Sequence, residues 1–140
     1  MYRSDKNRGD HRLAKLDGEP SEVAIKAEVG NEILADLPRV DVIKCDVQGS
    51  EAKVFAGLRK LLGRSTPKPI MIVEFEPFGL ANMGSEPGAL LDLFDAWGYS
   101  YSFVNWENIF PISRQALVEL AKHWIMLKSP GNLDLILAPS

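Results

Sequence analysis

The spacing of hydrophobic residues changes twice in the middle of the chain, which predicts a strand, a helix and a second strand in succession. Residues 40–47 are mostly apolar and β-branched, and they end at the polar turn 48–50. In residues 50–62 the apolar side chains recur at helical spacing on one face. Residues 70–75 are apolar without alternation up to Glu74, as is typical of a strand buried on both faces. We therefore predict a βαβ unit with two parallel strands.

Strands and helices alternate in the flanking segments as well. Gly63 and Gly98 stand where the helices at 50–62 and 85–97 would end. The further predicted elements are a half-buried strand at 23–29, a helix at 31–37 capped by Asn31, a helix at 85–97 capped by Ser85, a strand at 100–104, a helix at 114–124 and a strand at 133–138. This order predicts an α/β fold with a mostly parallel sheet flanked by helices.

Composition and charge place the chain among single-domain globular proteins. Of its 140 residues, 46% are hydrophobic and 25% are charged, and the net charge of −3 comes without the basic stripe of a nucleic-acid binder. The apolar runs are far shorter than the ~20 residues of a membrane-spanning helix. The polar N-terminus has no signal-peptide pattern, and a single cysteine, Cys45, cannot form an internal disulfide bond. We therefore expect a cytoplasmic protein that binds neither nucleic acid nor membrane.

Asp46 and Glu74 are the first candidates for chemistry, because each is an acid at the end of an otherwise apolar predicted strand. Ligands of open α/β sheets bind at the carboxyl ends of the strands, and neighbouring strands lie about 4.8 Å apart. Two carboxylates at this spacing can share a metal ion, or one can acquire a raised pKa and act as a general base. Acids in such positions also cap helices or turn the chain, so spacing alone leaves both interpretations open.

A longer motif surrounds Asp46. The segment DVIKCDVQGSE at 41–51 resembles the pattern D-hydrophobic-I-K-x-D-V-E/Q-G-x-E of FkbM-type, S-adenosylmethionine-dependent methyltransferases. Upstream, NRGDHRL at 7–13 is similar to the N-x-G-D-H-R segment of that family. Residues 69–77 look like its fifth strand with the acidic end E-x-x-P, and the similarity extends over about residues 5–105.

The resemblance implies a Rossmann-like methyltransferase fold and transfer of a methyl group from S-adenosylmethionine to a hydroxyl group, often of a sugar or secondary metabolite. It implies that Asp46 and Val47 contact this cofactor and that Asp46 and Glu74 are catalytic. The residues implied in substrate binding are Asp10, His11, Arg12 and Glu76. An O-methyltransferase needs a base or a cation at the acceptor hydroxyl, and Asp46, Glu74 or His11 could supply the base. No metal-ligand motif is recognisable.

One part of the family pattern has no counterpart in the sequence. The glycine-rich turn that holds the methyl donor, usually D-x-G-x-x-x-G after the first strand, is not found. We therefore expect residues 1–140 to form a partial FkbM-type domain, equivalent to its C-terminal half. The chain is then either part of a methyltransferase or a non-catalytic half domain that dimerises through an exposed sheet edge or binds another partner.

Several residues near the motif have structural interpretations. Glu51 lies in a first helical turn, where its charge favours the helix dipole, and Cys45 is expected to pack as a small hydrophobe. At position 48, glutamine stands where glutamate is commoner in the family. Glutamine keeps the shape of the glutamate side chain, but it cannot act as a base. The aromatic residues at 97, 99, 101, 103 and 106 could line a sugar-stacking surface, but the alternation at 99, 101 and 103 favours the core face of a strand.

Overall fold

A computed structural model describes residues 24–140 and two short strands nearer the N-terminus. The strands are β1 (Tyr2–Arg3), β2 (Ser21–Glu22), β3 (Val42–Cys45), β4 (Ile70–Phe75), β5 (Tyr99–Asn105), β6 (Asn108–Pro111) and β7 (Leu133–Pro139). The helices are α1 (Gly30–Ile33), α2 (Glu51–Gly57), α3 (Arg59–Arg64), α4 (Pro77–Asn82), α5 (Pro87–Ala96) and α6 (Arg114–Met126). The fold is mixed α/β, and β4 has the bounds predicted from its apolar run.

Five strands form one open sheet in the order β3-β4-β7-β5-β6, and β1 pairs with β2 separately. β3 and β4 are parallel, which confirms the predicted strand-helix-strand unit. β7 lies between β4 and β5 and runs antiparallel to both, while β6 returns antiparallel to β5. The prediction of a mostly parallel sheet needs correction, since one of these four pairings is parallel.

The β5–β6 hairpin accounts for part of this difference and has no counterpart among the predicted elements. Asn105 and Asn108 pair across a turn of two residues, and strands joined so tightly are antiparallel. Trp106 begins this turn with a φ of +57°, at a position where glycine or asparagine is usual. The hairpin is therefore hard to recognise from its turn residues.

The hydrophobic core lies on one face of the sheet, because alternate side chains of the central strands point toward the helices. The sheet side chains in this core are Cys45, Met71, Val73, Phe75, Tyr99, Tyr101, Leu135 and Leu137. The helices α2 to α6 cover them with Phe55, Leu61, Leu62, Leu80, Leu90, Leu91, Phe94, Leu117 and Ala121. On the opposite face Val42 and Ile70 are exposed, so the described helices flank the sheet on one side.

The predicted helix at 50–62 is in fact two helices, α2 and α3, which meet at Leu58. α3 continues through Gly63, which therefore does not end it. Asn31 has a different role from the predicted one, since its Oδ1 accepts hydrogen bonds from the backbone N–H groups of Lys60 (3.0 Å) and Leu61 (3.2 Å). The break leaves the first N–H groups of α3 without helical partners, and this distant side chain satisfies two of them.

The strand predicted at 23–29 is wrong for the described residues 24–29, all of which are exposed and irregular. Val23 itself lies outside the described residues. A strand needs a neighbouring strand for its backbone hydrogen bonds, and residues 24–29 pair with no strand in the described part of the chain. The side chains of Ile25 and Val29 are exposed. The helix predicted at 31–37 is the single turn α1. β3 therefore forms one edge of the described sheet.

α5 and α6 agree with the predicted helices to within a few residues. Gly98, with a φ of +72°, follows α5 as predicted, and the Ser113 hydroxyl accepts a hydrogen bond from Ala116 N at the start of α6. Ser85 is not the cap of α5, because Glu86 occupies that position. Within residues 24–140 no helix is long and apolar enough to cross a membrane.

Candidate active site

Asp46 and Glu74 come together at the carboxyl edge of the two parallel strands. Cys45 of β3 lies beside Val73 of β4, so the next residue of each strand falls at the same level. A third side chain joins them, because Gln48 Nε2 donates to Asp46 Oδ1 at 3.0 Å and to Glu74 Oε2 at 2.7 Å. The predicted convergence of the two acids is therefore seen in the structure, with an amide group between them.

The turn after β3 has an unusual backbone that directs the Gln48 side chain back toward the strand ends. Gln48 has a φ of +51° and Gly49 a φ of +92°. Few residues other than glycine, asparagine and aspartate adopt such angles, and they cluster at functional sites when they occur. Gly49 also lies against α4, since a Cβ at this position would stand 2.5 Å from the Gly79 carbonyl carbon.

Two more side chains extend the pair on either side. Lys44 Nζ lies 2.8 Å from Asp46 Oδ2, and Asn132 Nδ2 donates to Glu74 Oε1. Asn132 immediately precedes β7, which begins at the edge where β4 ends. No motif in the sequence points to Asn132, because its position depends on the antiparallel insertion of β7.

The environment drives the pKa values of the two acids apart. A hydrogen bond from Lys44 is the main cause that lowers the pKa of Asp46, and the bond from Gln48 adds to it. Burial, together with the charge of Asp46, raises the pKa of Glu74 to about 7, against the opposing effect of the hydrogen bond from Asn132. Such a split is typical of a site in which one carboxylate stays charged and the other exchanges a proton near neutral pH.

Glu51 has a structural role in the turn before α2, in addition to the interaction with the helix dipole expected from its place in the first turn. Its side chain is fully buried, and Oε1 accepts hydrogen bonds from the N–H groups of Val47 (3.2 Å) and Gly49 (3.2 Å). Oε2 is buried and has no hydrogen-bond partner among the described residues. Burial raises the pKa of Glu51. Glu51 thus holds the turn that carries Gln48.

Val47 and Glu76 lie in the same region of the structure. Val47 is half-buried and follows Asp46 directly, with its N–H group directed at Glu51. Glu76 is 2% exposed and stands at the start of α4, a helix that the sequence pattern did not predict. The carboxylate of Glu76 packs so closely on Gly79 that a Cβ there would stand 2.5 Å from Oε2.

The remaining sequence candidates separate into different places. Asp10, His11 and Arg12 lie outside the described residues. Tyr99 and Tyr101 are buried in the core as predicted, whereas Trp106 is 94% exposed at the tip of the β5–β6 hairpin. Cys45 is a free, buried cysteine, and burial raises the pKa of its thiol to about 12.

Metal coordination has no support from the described side chains. Across residues 24–140 no three histidine, cysteine, aspartate or glutamate side chains are grouped as a metal site requires. The acid pair instead accepts hydrogen bonds from the charged Lys44 ammonium group and from two neutral amide groups.

These features define a mixed α/β domain with a paired-carboxyl site at the carboxyl ends of its parallel strands. The methyltransferase FkbM domain family matches residues 17–101, which is more than half of the chain. The chain therefore belongs to the FkbM methyltransferase domain family. No curated protein and no solved structure matches it significantly.

Proposed function

We propose that this chain is the C-terminal part of an S-adenosylmethionine-dependent methyltransferase that methylates a hydroxyl group. The observation that carries the proposal is the pair Asp46 and Glu74, which stand at the ligand-binding edge of the sheet with pKa values driven apart. The FkbM family match supports methyl transfer as the reaction.

The arrangement of the strands supports a Rossmann-like half domain. β3, β4 and β5 run in the same direction, because β4 and β5 are both antiparallel to β7. Helices connect these three strands, as in one half of a doubly wound sheet. The carboxyl ends of all three strands therefore lie at one edge, where such folds bind their ligands.

The residues at this edge fit the reacting part of the methyl donor. S-adenosylmethionine supplies an electrophilic methyl group on a positively charged sulfur. Asp46 is partly exposed and keeps its negative charge at neutral pH, so it favours a cation nearby. The adenosine part needs a further binding element, since the 140 residues contain no glycine-rich turn of the family type.

Glu74 is our choice for the general base, rather than Asp46. A base must accept a proton at the working pH, and a pKa of about 7 allows Glu74 to do so near neutrality. With the donor bound, the methyl group would pass from its sulfur to the acceptor oxygen as the sulfur–methyl bond breaks and S-adenosylhomocysteine leaves, and the Glu74 carboxylate would take the hydroxyl proton. Asp46, whose pKa is lowered, remains ionised throughout and stabilises positive charge.

The acceptor we propose is a sugar or a secondary metabolite with a free hydroxyl group. The β5–β6 hairpin begins at the carboxyl end of β5, two strands and therefore about 10 Å from β4. Its exposed Trp106, with Asn105, Glu107 and Asn108 beside it, offers an apolar ring face next to polar groups. This combination suits a hydroxylated ring.

Calorimetric titration with S-adenosylmethionine and with S-adenosylhomocysteine tests the proposed cofactor. We expect Asp46→Asn to weaken binding of S-adenosylmethionine several-fold and to leave S-adenosylhomocysteine nearly unchanged, because only the former carries the sulfonium charge. Asp41→Asn is the matched control, since Asp41 is an exposed acid at the opposite end of β3. Absence of heat with both ligands on the wild-type chain would exclude cofactor binding by these 140 residues alone.

A second candidate function is a non-catalytic half domain that forms a dimer. The observation that favours it is the edge strand β3, in which Val42 is 57% exposed and next to which Ile70 of β4 is 46% exposed. Unpaired strand edges with apolar neighbours tend to pair with another chain.

Light scattering coupled to size exclusion tests this second candidate. It predicts a particle of about twice the 15.5 kDa chain mass, which Val42→Lys converts to monomer by placing a charge beside the edge. Gln115→Lys, on the exposed surface of α6, is the control for one added positive charge. A wild-type chain that stays monomeric at micromolar concentration would speak against dimerisation through β3.

A further inference from the structure

The Glu74 carboxyl group is held by one amide group on each of its two oxygens. Gln48 Nε2 donates to Oε2 at 2.7 Å, and Asn132 Nδ2 donates to Oε1. An ionised carboxylate only accepts hydrogen bonds, so both amides must turn their NH2 groups toward it. Because the two donors come from different parts of the chain, the turn after β3 and the start of β7, they restrict rotation of the carboxyl plane.

The second N–H of Gln48 reaches the neighbouring acid. Its Nε2 lies 3.0 Å from Asp46 Oδ1, so one NH2 group serves both carboxyl groups of the pair. We infer that Gln48 and Asn132 are positioning residues that hold Glu74 for proton transfer, and that Gln48 does so while donating to both carboxyl groups of the pair. This inference rests on the proposed methyl transfer, because it concerns the base of that reaction.

The backbone at Gln48 supports a role for its side chain beyond turning the chain. A φ of +51° is unfavourable for glutamine, and a turn alone would be formed more easily by glycine or asparagine. Neither of these side chains is long enough to span Asp46 and Glu74 as glutamine does. The amide also matters, because a glutamate at this position would add a third carboxylate between the two acids.

Other charged groups around Glu74 also influence its pKa. Asp134 of β7 lies directly beside Glu74 in the sheet register, and Glu76 raises the pKa of Glu74 through its charge. The pKa of Lys44 is raised, first by its hydrogen bond to Asp46. The charges of Asp46, Asp134 and Glu74 raise it further, in that order of effect. The amides are therefore the neutral donors in a cluster that is mainly acidic.

Carbon-13 NMR of the glutamate and aspartate carboxyl groups in the full chain tests the inference. In Gln48→Glu we expect the pKa of Glu74 to rise by on the order of one pH unit, because the hydrogen bond from Nε2 to Glu74 is lost and a negative charge is gained. That change leaves about fivefold less ionised Glu74 at pH 7. Gln48→Met, which keeps the length of the side chain, should give a smaller rise, and Asn132→Ala should also raise this pKa.

Gln115→Glu is the matched control, because it adds the same charge at the far end of the sheet. α6 has 13 residues and leads into β7, which begins at the carboxyl edge of the sheet. The first residues of α6 therefore lie about 20 Å from that edge, because a helix rises about 1.5 Å per residue. The inference is overturned if Gln48→Glu and Gln48→Met move the pKa of Glu74 no more than Gln115→Glu does. The NMR titration requires no cofactor. Its outcome is therefore independent of the calorimetric titration that tests the methyltransferase proposal.

Discussion

Replacing Glu74 by glutamine is expected to make the protein more stable than the wild type at pH 8, by roughly 1–3 kcal/mol. Glu74 is only 8% exposed and lies beside two other acids, so its ionised form is disfavoured in the folded state. Glutamine keeps the shape of the side chain: its oxygen can accept from Gln48, and its NH2 group can donate to the Asn132 oxygen once that amide turns over. Urea denaturation at several pH values measures the difference.

The direction of the pH dependence follows from proton uptake. The ordinary pKa of Glu74 is 4.5, and burial with the charge of Asp46 raises it to about 7 in the folded state. Between these values the folded protein binds more protons than the unfolded chain, so stability falls as pH rises from about 4.5 to about 7. The lowered pKa of Asp46 acts with the opposite sign, but in a more acidic range. Glu74→Gln should therefore remove the part of the decline that Glu74 causes, while the raised pKa of Glu51 still contributes its own part.

An exposed glutamate provides the control for this substitution. Glu119 pairs with Lys122 on the surface of α6, and both side chains are more than half exposed. Glu119→Gln should change the free energy of unfolding by less than about 0.5 kcal/mol at any pH, as is usual for surface ion pairs. If Glu74→Gln is no more stable than wild type at pH 8, Glu74 does not carry a raised pKa.

Gly49→Ala is expected to cause the largest loss of stability near the site, roughly 2–5 kcal/mol. The φ of +92° at Gly49 is unfavourable for any residue with a Cβ. A Cβ at this position would also stand 2.5 Å from the carbonyl carbon of Gly79 and 2.6 Å from its oxygen, both of which are backbone atoms of α4. The substitution must therefore push the turn away from α4 and displace Gln48 from the acid pair.

Gly84→Ala separates the two causes of this loss. Gly84 has a φ of +75°, but a Cβ added to it would meet no atom of the described residues within 4 Å. Alanine there suffers only the backbone strain of about 1–2 kcal/mol. Chemical denaturation of both variants measures the difference. Equal losses in the two variants would show that the turn after β3 does not pack against α4 as described.

The elements that depend on local pattern were predictable from the sequence. β4 is a continuous apolar run and has the predicted bounds, and the parallel pair β3–β4 follows from the strand-helix-strand order. Because parallel strands place their carboxyl ends at one edge, the meeting of Asp46 and Glu74 could be predicted as well. The place of Glu51 in a first helical turn was predictable, whereas its hydrogen bonds to Val47 and Gly49 were not.

Features that depend on distant contacts were not predictable in this way. The insertion of β7 between β4 and β5 decides that Asn132 reaches Glu74, and no local signal reveals it. The bridging role of Gln48 depends on a left-handed turn conformation that the residue type does not suggest. The alternation of apolar residues at 24–29 predicts a strand, but the pattern alone does not supply the partner strand that such a segment needs.

The central claim is that Asp46 and Glu74 differ in protonation near neutral pH, which leaves Glu74 as the base of the site. Carboxyl carbon-13 NMR of the wild-type chain across pH 2 to 9 tests it most directly. We expect Glu74 to titrate with a pKa of about 7 and Asp46 with a pKa below its ordinary value of 3.8. A Glu74 carboxyl group that titrates near its ordinary pKa of 4.5 would contradict the account.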